Sequence, residues 1–323
     1  MTVTLRQLAD ELELSPATVS LALRGSEQIA EKTRKRVNEL AERYDYVQSH
    51  FGRALQSRRS GLVGILLPQL TKSFYNEVLT GAGDAAVEAD YNLLIGWALQ
   101  KDQTCSKQIR LLLEKEIDAL VVAFIAPEVE KGVARFLRRK KPVVYCNCNL
   151  AAPEGSSWVY TDDFTGGRLA VRALCEAGHR HLLCDNTFYS RFSGNLAEAK
   201  EWGAEVIEYY HESEAFELLK KDPRLTAVVC SSDEKALQMF HPLAEMGFKV
   251  PQDVSLIGYD GIALGGEAVY RLSTINQQRS ELGQRAVEIA VKLMAEPEAV
   301  IQEYLQPSLL LRDTIAAPGR AFR

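Results

Sequence analysis

Apolar positions in the first fifty residues follow the spacing of short amphipathic helices. The first set falls at i, i+3, i+4 and i+7, one face of a helix: Leu5, Leu8, Ala9 and Leu12. Thr4 precedes it as a plausible N-cap. Ser15 and Pro16 then suit the start of a second short helix, which Gly25 would end. A third helix is predicted over 31–44, with an inward face made by Val37, Leu40, Ala41 and Tyr44.

Beyond residue 60 the pattern changes to apolar runs of strand length that alternate with helical patterns. The runs are 62–67, 93–96, 119–124, 142–147, 181–184, 227–230 and 254–259. Alternation of this kind favours parallel sheets covered by helices on both faces. We therefore expect an all-α head followed by an α/β body.

Composition narrows the class of protein. A chain of 323 residues with 46% hydrophobic and 25% charged residues suits two or three globular domains. No apolar run reaches 18 residues, and no basic-then-apolar leader opens the chain, so we expect a cytoplasmic protein without a membrane partner. Six scattered cysteines form no CxxC pair and predict buried thiols. Cys146 and Cys148, at i and i+2, would share one face of a strand, and a redox role for them has no support.

Charge is weak support for nucleic-acid binding, because the net charge is −5 overall and only +2 in residues 1–60. The pattern is more informative. The second helix has the length and position of the recognition helix of a helix-turn-helix, and four cations crowd the start of the third helix: Lys32, Arg34, Lys35 and Arg36. Basic side chains there oppose the helix dipole, a cost that a nearby phosphate backbone would offset. In the basic stretch that follows, Leu55 is either an ordinary surface residue or a minor-groove wedge.

These segments together resemble the LacI/GalR family of bacterial repressors. The resemblance runs from about Val3 to Pro318, through VTLRQLADELELSPATVSLALRG, EKTRKRVNELAERYDYV and SHFGRALQS, and then through SGLVGILLP, WVYTDDFTGGRLAVRALCEAGHRHLL and TAVVCSSDEKALQMFHPLAEMGFKVPQDVSLIGYDG. It implies a helix-turn-helix DNA-binding domain at 1–48, a hinge helix and linker at 49–60, and an effector-binding and dimerisation domain at 61–323. The last domain would consist of two doubly wound parallel-sheet lobes of periplasmic-binding-protein type.

The implied function is a transcription regulator, a repressor, that binds double-stranded operator DNA as a homodimer. The absence of a heptad repeat after Pro318 favours a dimer over a tetramer. The expected DNA-binding residues are Thr4, Ser15, Pro16, Ala17, Thr18, Ser20, Leu21, Arg24, Thr33, Arg53, Leu55 and Gln56.

Ligands in parallel α/β sheets bind at the carboxyl ends of strands, which selects the expected effector site. The residues are Phe74, Tyr75, Asn147, Arg191, Asp233 and Asp260. The resemblance matches Arg191 and Asp260 to effector contacts and Phe74 and Tyr75 to an aromatic pair. Other interpretations stay open. Asp233 could instead be the N-cap of the helix that follows it, and Arg191 could lie in a solvated loop. The set suits a small polar effector, most simply a carbohydrate, although a charged or nucleobase ligand is not excluded.

Some positions depart from the family pattern. Glu13 occupies a turn position that favours φ > 0, and Ala30 replaces a capping serine, at a cost of about 1 kcal/mol. Leu21 removes a possible arginine contact to guanine. The operator sequence therefore cannot be transferred from a relative.

Two other classes of function remain. A sugar receptor without a DNA role would have the same body, and the complete head argues against it. An enzyme would need a paired nucleophile and base or a metal motif; neither stands out, and His179 suits a structural turn. No cofactor or metal is expected.

Overall fold

The computed structural model describes residues 3–46, 59–70, 73–97, 102–148, 152–262 and 271–319. The chain divides into two compact units at Ser60/Gly61. The first unit, called the head, contains three helices: α1 (Leu5–Leu12), α2 (Pro16–Leu23) and α3 (Glu31–Arg43).

The head folds around the apolar faces that the sequence predicts. Its buried side chains are Leu8, Ala9, Leu12, Val19, Ala22, Val37 and Ala41. Tyr44 was expected inside but is 39% exposed, because it caps the end of α3. Glu13 has φ 57°, the left-handed conformation predicted for the turn after α1.

The second unit, called the body, has two lobes, each with a six-stranded sheet between helices. The N-lobe contains β1 (Leu62–Leu67), α4 (Ser73–Glu88), β2 (Asn92–Trp97), α5 (Asp102–Glu114), β3 (Ala119–Val122), α6 (Pro127–Arg138), β4 (Val143–Cys146), β5 (Ser157–Thr161), α11 (Arg279–Ala295) and β11 (Gln302–Leu305). Its strand order is β11-β5-β4-β3-β1-β2, and every neighbouring pair is parallel.

The C-lobe repeats this plan. It contains α7 (Asp163–Glu176), β6 (His181–Asp185), α8 (Tyr189–Glu201), β7 (Glu205–Tyr209), α9 (Glu212–Lys221), β8 (Ala227–Val229), α10 (Asp233–Glu245), β9 (Ser255–Asp260), β10 (Ser273–Asn276) and β12 (Ser308–Leu310). The order is β12-β10-β9-β8-β6-β7, parallel except that β12 runs antiparallel to β10. The fold class expected from the sequence is confirmed.

The chain crosses between the lobes three times, after β5, after β10 and after β11. The carboxyl ends of both sheets therefore face one cleft. None of the helices in the described residues is long and apolar enough to cross a membrane.

Helices α7 and α8 owe their close packing to two glycines. A Cβ on Gly167 in α7 would lie 2.0 Å from the Arg191 carbonyl oxygen in α8, and one on Gly194 in α8 would lie 2.1 Å from the Phe164 carbonyl oxygen. Only glycine permits this approach, which fixes the start of α8 against α7.

Two expectations from the sequence need correction. All six cysteines are buried and free as predicted, but Cys146 and Cys148 do not share a face: they belong to hydrophobic clusters on opposite sides of the N-lobe sheet. The strand ends at Cys146, and Asn147 with φ 52° turns the chain. Strands β5, β7, β10, β11 and β12 were missing from the predicted runs, since most are short and carry polar residues.

Candidate functional site

The exposed side of α2 presents most of the expected DNA-binding residues of the head. Ser15 caps α2 by accepting a hydrogen bond from the Thr18 amide at 3.0 Å, and Pro16 occupies the first turn. Thr4 caps α1 in the same way, with a reciprocal bond from its own amide to Gln7. The expected residues that are exposed or half-buried are Thr4, Ser15, Pro16, Ala17, Thr18, Leu21, Arg24 and Thr33.

Ser20 differs from this group. It is only 3% exposed, and its hydroxyl accepts a hydrogen bond from the Arg24 guanidinium at 2.9 Å. Arg34, from the basic cluster on α3, donates to the Gly25 and Ser26 carbonyls at 3.0 and 3.1 Å. Arg34 thus links α3 to the turn after α2, while Lys32, Lys35 and Arg36 remain exposed.

Arg53, Leu55 and Gln56 lie outside the described residues, as does most of the predicted 49–60 hinge.

The cleft of the body holds a cavity of about 240 Å3 at the carboxyl ends of strands from both lobes. Five of the six residues expected to bind an effector line it: Phe74, Tyr75, Asn147, Arg191 and Asp260. The Phe74 and Tyr75 rings meet edge to face, 5.2 Å between centroids. Burial raises the pKa of Tyr75, so its hydroxyl stays protonated and can donate.

A polar network crosses the cleft floor from one lobe to the other. Asn147 Nδ2 donates to Gln277 Oε1 at 3.3 Å, and Gln277 Nε2 donates to Asp260 Oδ1 at 2.6 Å. Asn147 Oδ1 is buried without a hydrogen-bond partner among the described residues. Asn147 at φ 52° and Asp260 at φ 121° both adopt backbone conformations that are costly for residues other than glycine. Strain of this kind concentrates at functional sites.

Arg191 lies in the first turn of α8, not in a solvated loop, and is 6% exposed. Its guanidinium carbon lies between the Phe188 and Tyr259 rings, 4.5 and 3.8 Å from their centroids. Nε donates to Asp163 Oδ1 at 3.0 Å and Nη1 to the Ser231 carbonyl at 2.6 Å. Burial disfavours its charge, but Asp163, Tyr259 and Asp260 together outweigh burial and raise the pKa of Arg191. The group is therefore a rigid, charged donor.

Asp260 is a buried carboxyl group in the cavity wall. Burial raises its pKa to about 6, against the opposing effects of Arg191, whose Nη1 lies 4.0 Å from Asp260 Oδ1, and of the Gln277 amide. Its protonation state therefore changes close to neutral pH.

The other side of the cavity is formed by a lysine–aspartate pair. Lys235 Nζ donates to Asp185 Oδ2 at 2.8 Å and to the Thr187 hydroxyl at 2.9 Å. Burial would raise the pKa of Asp185, but bonds from Lys235, Thr187 and Ser231 outweigh this and lower it. Each cation in the wall is thus matched by a carboxylate, so the cavity suits a neutral, hydroxyl-rich ligand better than an anion.

Three sequence models of known families together match nearly the whole chain. Residues 4–49 match bacterial regulatory proteins of the lacI family, and residues 60–201 match the periplasmic binding proteins and sugar binding domain of the LacI family. Residues 171–315 match the periplasmic binding protein-like domain. The chain belongs to the LacI family.

Relatives and solved structures agree with this assignment. The ribose operon repressor of Haemophilus influenzae is 27% identical over 97% of this chain and 98% of its own. The HTH-type transcriptional repressor PurR of Vibrio parahaemolyticus is also 27% identical, over 97% and 98%. The fold matches a crystal structure of the Lac repressor dimer bound to operator and the anti-inducer ONPF, with TM-score 0.85 at 20% identity, covering 98% of this chain and 100% of that one.

Asp233 is the expected effector residue that does not line the cavity of this LacI-family body. It is 0% exposed; Oδ1 accepts from the Thr274 hydroxyl at 2.5 Å and Oδ2 from the Ile262 amide at 2.8 Å. Nor is it the N-cap of α10, because Ser232 caps that helix by accepting from the Lys235 amide. Asp233 ties the start of α10 to the neighbouring strands β9 and β10.

Sequence reasoning missed several residues of the cavity wall, namely Thr187, Phe188, Ser231, Glu234, Lys235, Gln238 and Gln277. The strand-end rule points to Ser231 after β8, and would have pointed to Gln277 if β10 had been predicted. Lys235 and Gln238 lie on α10, where sequence alone gives no sign that they face the cleft.

Proposed function

We propose that this protein is a transcription regulator of the repressor type, whose affinity for operator DNA is set by a small carbohydrate bound in the cleft. The observation that carries the proposal is the presence in one chain of a lacI-family head at 4–49 and a cleft body at 60–315. A receptor without a DNA role, the second candidate, leaves the head without a purpose.

In this proposal the exposed stripe of α2 faces the major groove. Ala17, Leu21 and Arg24 follow one another at helical spacing and would meet base edges. Thr4 and Thr33, at the starts of α1 and α3, suit phosphates, which helix N-termini attract. Arg53 and Gln56 would contact the DNA backbone, and Leu55 would enter the minor groove. A homodimer would place two heads on a near-palindromic operator in the cytoplasm.

The effector is proposed to be a monosaccharide-sized polyol. The Gln277 and Asn147 amides can donate to and accept from hydroxyls, the Asp260 carboxylate can accept and Arg191 can donate. Phe74 offers a face to a sugar ring. Related regulators include a ribose operon repressor and the transcriptional repressor PurR. The balanced charges and small volume of the cavity favour the sugar. Catalysis is not proposed, since the relatives are regulators.

The test uses the full-length protein. A thermal-shift screen of sugars, nucleosides and sugar phosphates identifies the effector, because a ligand that binds the native state raises its stability. Binding to DNA from upstream of its own gene is then measured with and without that ligand. Absence of sequence-selective, salt-sensitive binding under every condition would exclude the regulator; ligand binding without DNA binding would favour the receptor.

A further inference from the structure

A run of basic residues ends α6 of the N-lobe. Arg135, Arg138, Arg139, Lys140 and Lys141 fall within seven positions of a chain whose net charge is −5. All of them except Lys141 are exposed. We call Arg138, Arg139 and Lys140 the basic cluster.

No ion pair among the described residues neutralises the basic cluster, although Glu154 and Glu298 line one groove with Lys140. Lys141 pairs with Asp118 at 3.3 Å, and Arg139 donates weakly to the Leu113 carbonyl at 3.4 Å. Within the described residues, no carboxylate lies within 4.0 Å of a nitrogen of Arg138, Arg139 or Lys140. Cations do stabilise the last turn of a helix, but that effect fades beyond the turn, and Lys140 lies after the helix end.

The location of the cluster is the second observation. It precedes β4 and so lies at the amino-terminal edge of the parallel N-lobe sheet, opposite the edge that forms the cleft. The chain coming from the head enters the body at this same edge, at Gly61 before β1. The Gly61 amide donates to Asp118 Oδ2 at 2.8 Å, and Lys141 contacts the other oxygen of the same carboxylate. Asp118 thus contacts both Gly61, where the chain enters the body, and Lys141, which follows the basic cluster.

We propose that the basic cluster binds phosphates of the DNA next to the operator, adding a sequence-independent contact made by the body and not by the head. The inference rests on the proposed function. The head is joined covalently to Gly61 through residues 47–60, so DNA bound by the head cannot lie far from Gly61. The phosphates that flank the operator are therefore the polyanion available to the amino-terminal edge of the N-lobe sheet. An acidic protein surface could also bind the basic cluster, but no covalent connection would keep such a partner close to it.

Nearby carboxylates limit the size of the contact. Glu114 already pairs with Arg110 at 3.0 Å, and Asp118 with Lys141. Glu116 remains close to the cluster in sequence and space, since it lines a groove with Arg139. The contact therefore involves a few phosphates per protomer, not a long track.

The test compares the full-length protein with the variant R138Q/R139Q/K140Q. A matched control, K200Q/K220Q/K221Q, removes the same charge from exposed positions of the C-lobe. Binding to operator and to random-sequence DNA of equal length is measured as a function of salt concentration. Each phosphate contact contributes about 0.9 to the slope of log K against log salt concentration. We expect the cluster variant to have a shallower slope on both DNAs, with affinity for both reduced by a similar factor, while the control variant matches the wild type.

Thermal unfolding and effector binding should be the same in all three proteins, which excludes misfolding as the cause of any loss. An unchanged slope in the cluster variant would overturn the inference while leaving the proposed function intact. A loss on operator DNA alone would also overturn it, since a phosphate contact is blind to sequence. If the wild type binds no DNA at all, the proposed function fails instead.

Discussion

At the scale of single residues, the cleft is defined by a few buried polar groups with fixed partners. Asp260 ends β9 with φ 121°, receives the Gln277 amide and lies 4.0 Å from Arg191. These contacts hold the Asp260 carboxylate in position in the absence of a ligand. A substitution at this position should therefore act on effector binding directly.

Asp260→Asn should weaken effector binding by about 10- to 100-fold, because a hydrogen bond to a charged group contributes about 1.5–3 kcal/mol. Isothermal titration with the sugar found by screening measures this. Asp84→Asn, at an exposed position in α4, is the control and should bind like the wild type. Equal affinity of the Asp260 variant would exclude a contact between Asp260 and the effector.

Effector binding should also depend on pH through Asp260. Its pKa in the folded protein is about 6, so the carboxyl group takes up a proton between pH 7 and 5. An effector hydroxyl that donates to the carboxylate requires the ionised form, hence affinity should fall toward tenfold per pH unit below 6. Titrations from pH 8 to 5 check this, and the Asp260→Asn variant should show a flatter profile.

At the scale of elements, the N-caps of the helices and the contacts between helices determine local stability. Ala30 begins α3 in an extended conformation, φ −54° and ψ 139°, without a side-chain cap. By contrast Thr4 and Ser15 cap α1 and α2.

Ala30→Ser should stabilise α3 by about 1 kcal/mol, since a serine oxygen can accept a free amide of the first turn. Slower amide hydrogen exchange along α3 in the full-length protein is the expected signal. Ala30→Val, which has no oxygen to accept, serves as the comparison; equal protection in both variants would contradict the capping argument.

Gly167→Ala should destabilise the body by about 1–3 kcal/mol, because the new Cβ would press on the Arg191 carbonyl oxygen, 2.0 Å away, and force α7 from α8. Effector affinity should fall as well, since Arg191 moves with α8. Gly83→Ala in α4 meets no atom within 4 Å and should instead stabilise the protein by about 0.5–1 kcal/mol. Urea denaturation distinguishes the two variants. An unchanged free energy of unfolding for Gly167→Ala would show that α8 can move away from α7 at little cost.

At the scale of the whole body, the two lobes meet across the cleft through a small number of polar bonds. Besides the Asn147–Gln277 bond, Ser73 at the start of α4 donates to Glu234 Oε1 on α10 at 3.2 Å. Such bonds depend on how far the lobes are closed, so they connect occupancy of the cleft to the shape of the body.

Ser73→Ala should lower effector affinity about 2- to 10-fold, because one hydrogen bond that favours the closed arrangement, worth about 0.5–1.5 kcal/mol, is lost. Thr80→Ala removes a hydroxyl whose partner in the described part of the chain is the Asn76 carbonyl of the same helix, and it should leave affinity unchanged. Similar affinities of the two variants would mean that the Ser73–Glu234 bond does not contribute to closure.

The sequence by itself determined the helices of the head, seven apolar strands of the body and the kind of site, but not the other five strands. Helical spacing, caps such as Ser15 and the long apolar strands β1 and β9 are local signals, written in consecutive residues. Strand ends further selected Phe74, Tyr75, Asn147, Arg191 and Asp260, because parallel strands bring their carboxyl ends to one edge.

Only the tertiary structure decided which polar groups face the cleft. Asp233 and Lys235 lie two positions apart on α10, yet one is sealed beneath Thr274 and the other reaches the cavity with Asp185. Gln277 gained its place because the chain crosses between the lobes there, and Ser20 is buried beside Val19 on the inner side of α2. The direction of a side chain depends on the elements packed against it, which are distant in sequence, so no local pattern could reveal it.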